Sequence, residues 1–295
     1  MSLTNKLRLP EPIVQAIIND TYTKGDADFS VTELLSPPQL ARLRRDHASE
    51  IVEDASDRIW SLLGQAVHSV IERSATNKDN IMSETTLNTN FNGMKIKGTF
   101  DSLTISDLEL NDYKVTTVWK LIGGGCPIEW EQQVNIYRWM LEREKGILVK
   151  QAAVIAILRD WSVREATRRT DYPQAQAARV EVPLWDLATT EAFVAARLAL
   201  HMAAEPQACS DEDIWAKPSK WAIMKKGRAS AVRLFEDQAA ALDFMGTLGS
   251  GHSLEYRPGQ ATRCESYCPA SAYCAQWQND PRNKGISSVA DSLFS

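Results

Sequence analysis

The dipeptide Asn92-Gly93 commits the middle of this 295-residue chain to a two-residue β-turn. Leu87, Thr89 and Phe91 alternate before it, and Met94 and Ile96 alternate after it, so its flanks are the two strands of a hairpin. The second strand runs on to Gly98-Thr-Phe-Asp101. Leu108, Leu110, Asp112 and Lys114 then fall on one face of the next strand, because side chains two apart point the same way. Two leucines anchor that face in a core, and a carboxylate and an ammonium continue it.

Helical spacing surrounds these strands. Ser36 is positioned to cap a helix with Pro37 and Pro38 in its first turn, ending near Arg45. Ile51, Ala55, Ile59, Leu62, Leu63, Ala66, Val67, Val70 and Ile71 predict one long helix with an apolar stripe that lies against a sheet or another helix. Residues 129–145 read as a helix with Val134, Tyr137, Met140 and Leu141 inward, 151–158 and 178–184 as strands, and 189–202 as a helix. Residues 221–224, 232–235 and an Ala-rich helix from Asp237 form a hairpin-helix appendage. Without repeats or an evident linker, one compact α/β domain over 1–295 is expected. It divides into N-terminal helices (1–75), a core (76–205), an appendage with a cysteine-rich segment (206–280) and a tail (281–295).

A hydrophobic fraction of 44% and a charged fraction of 24% exclude disordered and fibrous classes. No apolar run approaches the ~20 residues of a bilayer span. Met1-Ser-Leu-Thr-Asn-Lys6 lacks the apolar core of a secretory signal, so a cytoplasmic protein without a membrane partner is expected. The net charge of -5 gives no bulk attraction to nucleic acid. Local clusters exist at Arg164, Arg168 and Arg169, and at Lys217, Lys220, Lys225, Lys226, Arg228 and Arg233. They are either solvated faces or phosphate contacts, so charge permits a nucleic-acid partner without arguing for one.

Asp101 and Asp112 on neighbouring strands, with Lys114 two residues on, suit phosphodiester hydrolysis. That reaction needs a divalent ion to polarise the phosphoryl oxygen and to generate hydroxide. Mg²⁺ or Mn²⁺ takes oxygen ligands and keeps several waters, so two carboxylates suffice. Lys114 can orient water and offset developing charge. Asp-x-Lys alone is common and equally describes an exposed cross-strand pair; its weight comes from its neighbours. Gln133 and Tyr137, four residues apart, share one helix face.

Gly98-x-x-Asp101, Asp112-x-Lys114 and Gln133-x3-Tyr137, in this order and at these intervals, resemble the PD-(D/E)XK nuclease superfamily, specifically its RecB-like branch. That branch includes nuclease domains of bacterial recombination helicase complexes, Cas-type adaptation exonucleases and many phage exonucleases. The resemblance spans roughly residues 30–277, with Ser30-Val-Thr-Glu-Leu near its start and Asp160-Trp-Ser after a strand. It implies an α/β fold with a restriction-endonuclease-like core, a mixed central sheet flanked by helices, and a C-terminal cysteine cluster. It implies a Mg²⁺- or Mn²⁺-dependent DNA exonuclease of processing or recombination, of phage or mobile-element type, with a recombination protein as a possible partner. The resemblance makes His68, in Gly64-Gln-Ala-Val-His68, a metal ligand beside Asp101 and Asp112. Lys114 then assists water, and Gln133 and Tyr137 hold the DNA strand. The alternative is a non-catalytic DNA-end binding module that keeps the fold.

Five cysteines in a reducing compartment are not expected to form disulfides. Cys264, Cys268 and Cys274 place three thiols close together, and Cys209 or Cys126 can supply a fourth. The resemblance implies a structural [4Fe-4S] cluster, with zinc the other metal that four thiolates accept. The first interval is x3 where the family has x2, and Leu35-Ser-Pro-Pro38 lacks the family's upstream cysteine. Cys209 is the expected replacement and Cys126, after Gly123-Gly-Gly125, the alternative.

Overall fold

A computed structural model describes residues 2–20, 24–74 and 79–283. The chain that reads as one domain groups into two compact units, one of residues 3–36 and 53–205, the other of 1–2, 37–52 and 206–295. Of the tail expected at 281–295, residues 284–295 lie outside the described residues, as do 75–78 at the junction of the expected N-terminal helices and core.

The larger unit is a mixed α/β structure. Its sheet has six strands: Phe29–Ser30 (β1), Ile81–Phe91 (β2), Met94–Thr104 (β3), Glu109–Thr116 (β4), Gln151–Leu158 (β5) and Ala177–Glu181 (β6). Flanking it are the helices Glu11–Ile18 (α1), Val31–Leu35 (α2), Ile59–Ser74 (α3), Ile128–Lys145 (α4) and Leu187–Met202 (α5). The hairpin is the expected one. Asn92 (φ 49°) and Gly93 (φ 78°) both take the left-handed backbone that a type I′ turn requires. β2 pairs antiparallel with β3 from Phe91↔Met94 out to Ile81↔Thr104.

The other edge of β3 is shared. β1 pairs in parallel with Ile96 and Lys97, whereas β4 pairs antiparallel only with Ser102, Leu103 and Thr104. β3 and β4 therefore part on the Asp101 side of Ser102. β4 then runs parallel to β5, and β6 adds antiparallel to β5. The β4–β5 crossover is α4, which ends at Gly146 (φ 66°), a glycine in the left-handed C-cap that an L side chain resists.

α4 buries Trp130, Val134, Ile136, Tyr137, Trp139, Met140 and Leu141. It can approach β3 closely because residue 98 is glycine. A Cβ there would stand 2.8 Å from Tyr137 Cε1 and 2.8 Å from Val31 Cγ2. Gly98→Ala should cost about 1–3 kcal/mol through overpacking, read as a lower midpoint in denaturant unfolding. An unchanged midpoint would refute this account of the glycine.

Three local expectations are corrected. The long helix from Ile51 does not form: Val52–Asp54 is extended, Ala55–Arg58 is a 3₁₀ turn, and α3 starts at Ile59. Capping chemistry overrides apolar spacing here. Asp54 Oδ1 accepts from Ser56 N (3.1 Å), and Asp57 Oδ2 accepts from Asp54 N (3.2 Å). The stripe also splits, for Ile59 and Leu62 pack on Val14 and Ile17 of α1 while Leu63 and Val70 are exposed. Ser36 caps no helix N-terminus; its hydroxyl donates to Glu33 O at the end of α2, whose N-cap is Ser30. Leu108 (φ 52°) lies in the turn before β4, not on its inward face.

In the smaller unit, Lys220–Lys225 (β7) pairs with Arg233–Phe235 (β8) and with His252–Arg257 (β9), a strand missing from the expected hairpin although Leu254 and Tyr256 alternate with Ser253, Glu255 and Arg257. Gln238–Gly246 (α6) follows Asp237, whose carboxylate caps it by accepting from Ala240 N (2.8 Å).

Candidate active site

The parting of β3 from β4 leaves backbone groups that side chains take up. Asp101 Oδ2 accepts from Tyr113 N at 2.6 Å, in place of a ladder bond. Tyr113 O lies 2.7 Å from His68 Nε2 on α3. A carbonyl only accepts, so Nε2 carries the proton and donates. His68 Nδ1 therefore faces Asp101 Oδ1 at 3.4 Å and Glu84 Oε1 at 3.8 Å. The Asp101 carboxylate holds the imidazole pKa above its ordinary value, against the opposing effect of burial.

Glu84 is the residue that sequence reasoning missed. It lies between Ser83, paired with Ser102, and Thr85, paired with Phe100, and thus across from Asp101. Its backbone sits at φ 42°, a costly conformation for a non-glycine residue and one found preferentially at functional sites. Burial first, and the Asp101 charge second, push its carboxyl pKa upward. A signal was present. In a two-residue hairpin, residues equidistant from the turn face each other, and Glu84 and Asp101 are equidistant from Asn92-Gly93.

His68, Glu84 and Asp101 each offer a ligand atom, and these atoms all lie within 4.8 Å of one another. Two carboxylates and one imidazole can hold a divalent ion and leave coordination positions for water and substrate. The expected ligand set was His68, Asp101 and Asp112. The structure brings His68 and Asp101 together with Glu84, while Asp112 stands outside that group, near enough for its charge to act on His68.

Asp112 is buried, with its Oδ2 2.8 Å from Lys114 Nζ and without an aligned hydrogen bond. Burial pushes its pKa upward, with Lys114 opposing and Asp101 adding. Both side chains stand on one face of β4, as the spacing required. Gln133 Nε2 donates to Tyr137 Oη at 2.9 Å, as their shared helix face allows. Tyr137 is buried against Gly98 and yet borders a cleft of about 230 Å³ with Thr32, Glu84, Lys97 and Thr99.

In the smaller unit, Cys209, Cys264, Cys268 and Cys274 line one cavity with Leu40, Ile214 and Trp277. Cys209 N donates to Gln39 Oε1 (3.0 Å) and to Gln276 Oε1 (2.9 Å), and Cys209 O accepts from Gln276 Nε2 (2.7 Å). Burial pushes the Cys209 thiol up to about 12 and the Cys264 thiol to about 11. Cys126 is elsewhere, packed beside the core of the larger unit with its thiol donating to Pro127 O. Among the basic clusters, Arg169 pairs with Asp171, Lys220 pairs with Glu236, and Arg233 lies over the Phe235 and Phe244 rings. These three have ordinary structural partners.

No family model and no curated protein matches this chain. Among solved structures it is similar to SSO0001, at 18% identity over 64% of this chain and 82% of that one, with a TM-score of 0.42. It is also similar to a candidate exonuclease from Eubacterium rectale, at 14% identity over 51% of this chain and 63% of that one, with a TM-score of 0.28. At these values neither likeness assigns an activity.

Proposed function

We propose that the protein is a divalent-metal-dependent DNA nuclease of the RecB-like PD-(D/E)XK type, acting as an exonuclease in DNA processing or recombination. The observation that carries this reading is the convergence of His68, Glu84 and Asp101 beside the Asp112–Lys114 pair where β3 and β4 part. Mg²⁺ or Mn²⁺ held there supplies Lewis-acid polarisation of a phosphoryl oxygen and acidifies water. Lys114 positions the attacking water and offsets negative charge developing on the phosphate. Tyr113 O fixes the His68 tautomer, so that Nδ1 stays directed at the carboxylates. Gln133 and Tyr137 border the path of the strand and offer it an amide and a phenol.

The test is incubation of end-labelled linear DNA and closed circular DNA with Mg²⁺ or Mn²⁺. Degradation of the linear form only, stopped by chelation and lost in Asp112→Ala, is the expected result. Equal degradation by Asp112→Ala would reject the assignment. Binding of ends without cleavage would replace it with the non-catalytic end-binding module.

The four thiols of the smaller unit are proposed to hold a structural [4Fe-4S] cluster. An all-sulfur donor set in an apolar cavity fits a soft centre. Zn²⁺ accepts the same four thiolates, so the metal content of the protein decides between the two. Binding would release protons from thiols that burial keeps neutral. In anaerobically purified protein, Cys209→Ser should lose the iron and lower the melting midpoint, whereas Cys126→Ser should change neither. Zinc in place of iron would contradict the cluster, and iron retained by Cys209→Ser would contradict the ligand set.

A further inference from the structure

Trp60, Gly64 and His68 follow at four-residue intervals on α3 and so share one helix face, about 12 Å from end to end. His68 belongs to the metal group at one end. At the other, Trp60 is 55% exposed, and the Arg159 guanidinium lies over its ring, 3.9 Å from the centroid. Arg159 comes directly after β5, and its N–H donates to Thr116 O (2.9 Å), two residues beyond Lys114 on β4. α3 thus meets the sheet twice, through His68–Tyr113 and through Trp60–Arg159.

Between these meetings stands Gly64, half-buried and without a side chain. A Cβ on Gly64 would meet no atom within 4 Å, so open space adjoins the backbone there. Arg159 is exposed and has no ion-pair partner among the described residues. A second exposed tryptophan, Trp119, stands on the turn after β4, which Asp160 holds by accepting from Val118 N (2.8 Å).

Exposed aromatic rings beside an uncompensated cation are how proteins hold unpaired nucleic acid, with bases stacking on the rings and phosphates facing the cation. A duplex keeps its base faces stacked and cannot use such a platform. We infer that Trp60 and Arg159 form a docking platform for single-stranded DNA, whose backbone passes over Gly64 to the metal group. The inference rests on the nuclease reading and adds a strand preference and a direction of entry. A surface Arg–Trp stack also forms where nothing binds. Here the open Gly64 floor joins it to the metal group, and the arginine's charge is left for a phosphate.

The test uses the full chain with Asp112→Asn as a non-cleaving background, and fluorescence anisotropy with a short labelled single strand and with the blunt duplex. Trp60→Ala should weaken single-strand binding about tenfold and duplex binding little, and Trp60→Phe should restore most of the loss. Gly64→Leu meets no protein atom at its Cβ and improves helix propensity, so it should keep or raise the melting midpoint while lowering single-strand affinity comparably. Unchanged single-strand affinity in folded Trp60→Ala and Gly64→Leu would overturn the platform. So would equal losses on both DNAs, the mark of a general cationic surface. Cleavage by the wild type, measured on the same DNAs, separates the two readings: a protein that cleaves while ignoring Trp60 overturns only the platform. One that neither cleaves nor binds DNA overturns the nuclease reading with it.

Discussion

Asp101→Asn should lower kcat/KM for metal-dependent DNA cleavage by roughly a thousandfold or more, with little change in stability. The asymmetry follows from the two oxygens of one carboxylate. Oδ2 accepts from Tyr113 N at 2.6 Å, a bond that the carbonyl of an asparagine can keep. Oδ1 faces His68 Nδ1 at 3.4 Å and belongs to the group with Glu84. Asparagine puts an uncharged amide there, and half the anionic charge of the three-residue site is lost. The variant should melt within a few degrees of the wild type while failing to degrade end-labelled linear DNA. Less than a tenfold loss would place the metal elsewhere.

Lys114→Ala should damage activity and stability together. Asp112 is 3% exposed, and the Lys114 ammonium stands 2.8 Å from its Oδ2. Removing the ammonium leaves a buried carboxylate without compensation, and breaking such a pair costs about 3 kcal/mol at the lower end of the usual range. The lower end applies because burial already pushes the Asp112 pKa upward, so the group can take a proton instead of remaining charged. Lys114→Ala/Asp112→Asn should recover most of the lost stability and none of the cleavage. Denaturant unfolding and DNA digestion on the wild type, both single variants and the double variant complete the cycle. A double variant as unstable as Lys114→Ala alone would show that the ion pair is not the source.

The parts of the fold that were legible in the sequence have short-range causes. Asn92-Gly93 dictates a turn whose two central residues have positive φ, and Gly146 marks the end of α4 by the same backbone requirement. Asp112 and Lys114 share a face because strands have a period of two. Other features depended on interactions that apolar spacing does not encode. The capping box of Asp54 and Asp57 broke a convincing helical stripe, and α3 keeps several apolar side chains exposed. Residues 37–52 join a unit built otherwise from the C-terminal third, a long-range pairing with no local signature.

The candidate site was legible as far as its motifs reached. Glu84 lay outside them. Ile81-Met-Ser-Glu-Thr-Thr does not alternate, so side-chain pattern does not mark the start of β2, although counting outward from the turn sets Glu84 against Asp101. For the fourth thiol, the sequence left Cys209 and Cys126 as alternatives. Tertiary contacts separate them, since Gln39 and Gln276 hold Cys209 at the cavity of the other three thiols while Cys126 packs in the larger unit.

The proposed activity requires a divalent cation held by His68, Glu84 and Asp101. Calorimetric titration of the purified protein with Mn²⁺, beside Asp101→Asn and Glu84→Gln, tests it directly. Saturable Mn²⁺ binding by the wild type, lost in Asp101→Asn and weakened at least tenfold in Glu84→Gln, is the predicted result. Absence of binding by the wild type, or equal binding by all three proteins, would contradict it.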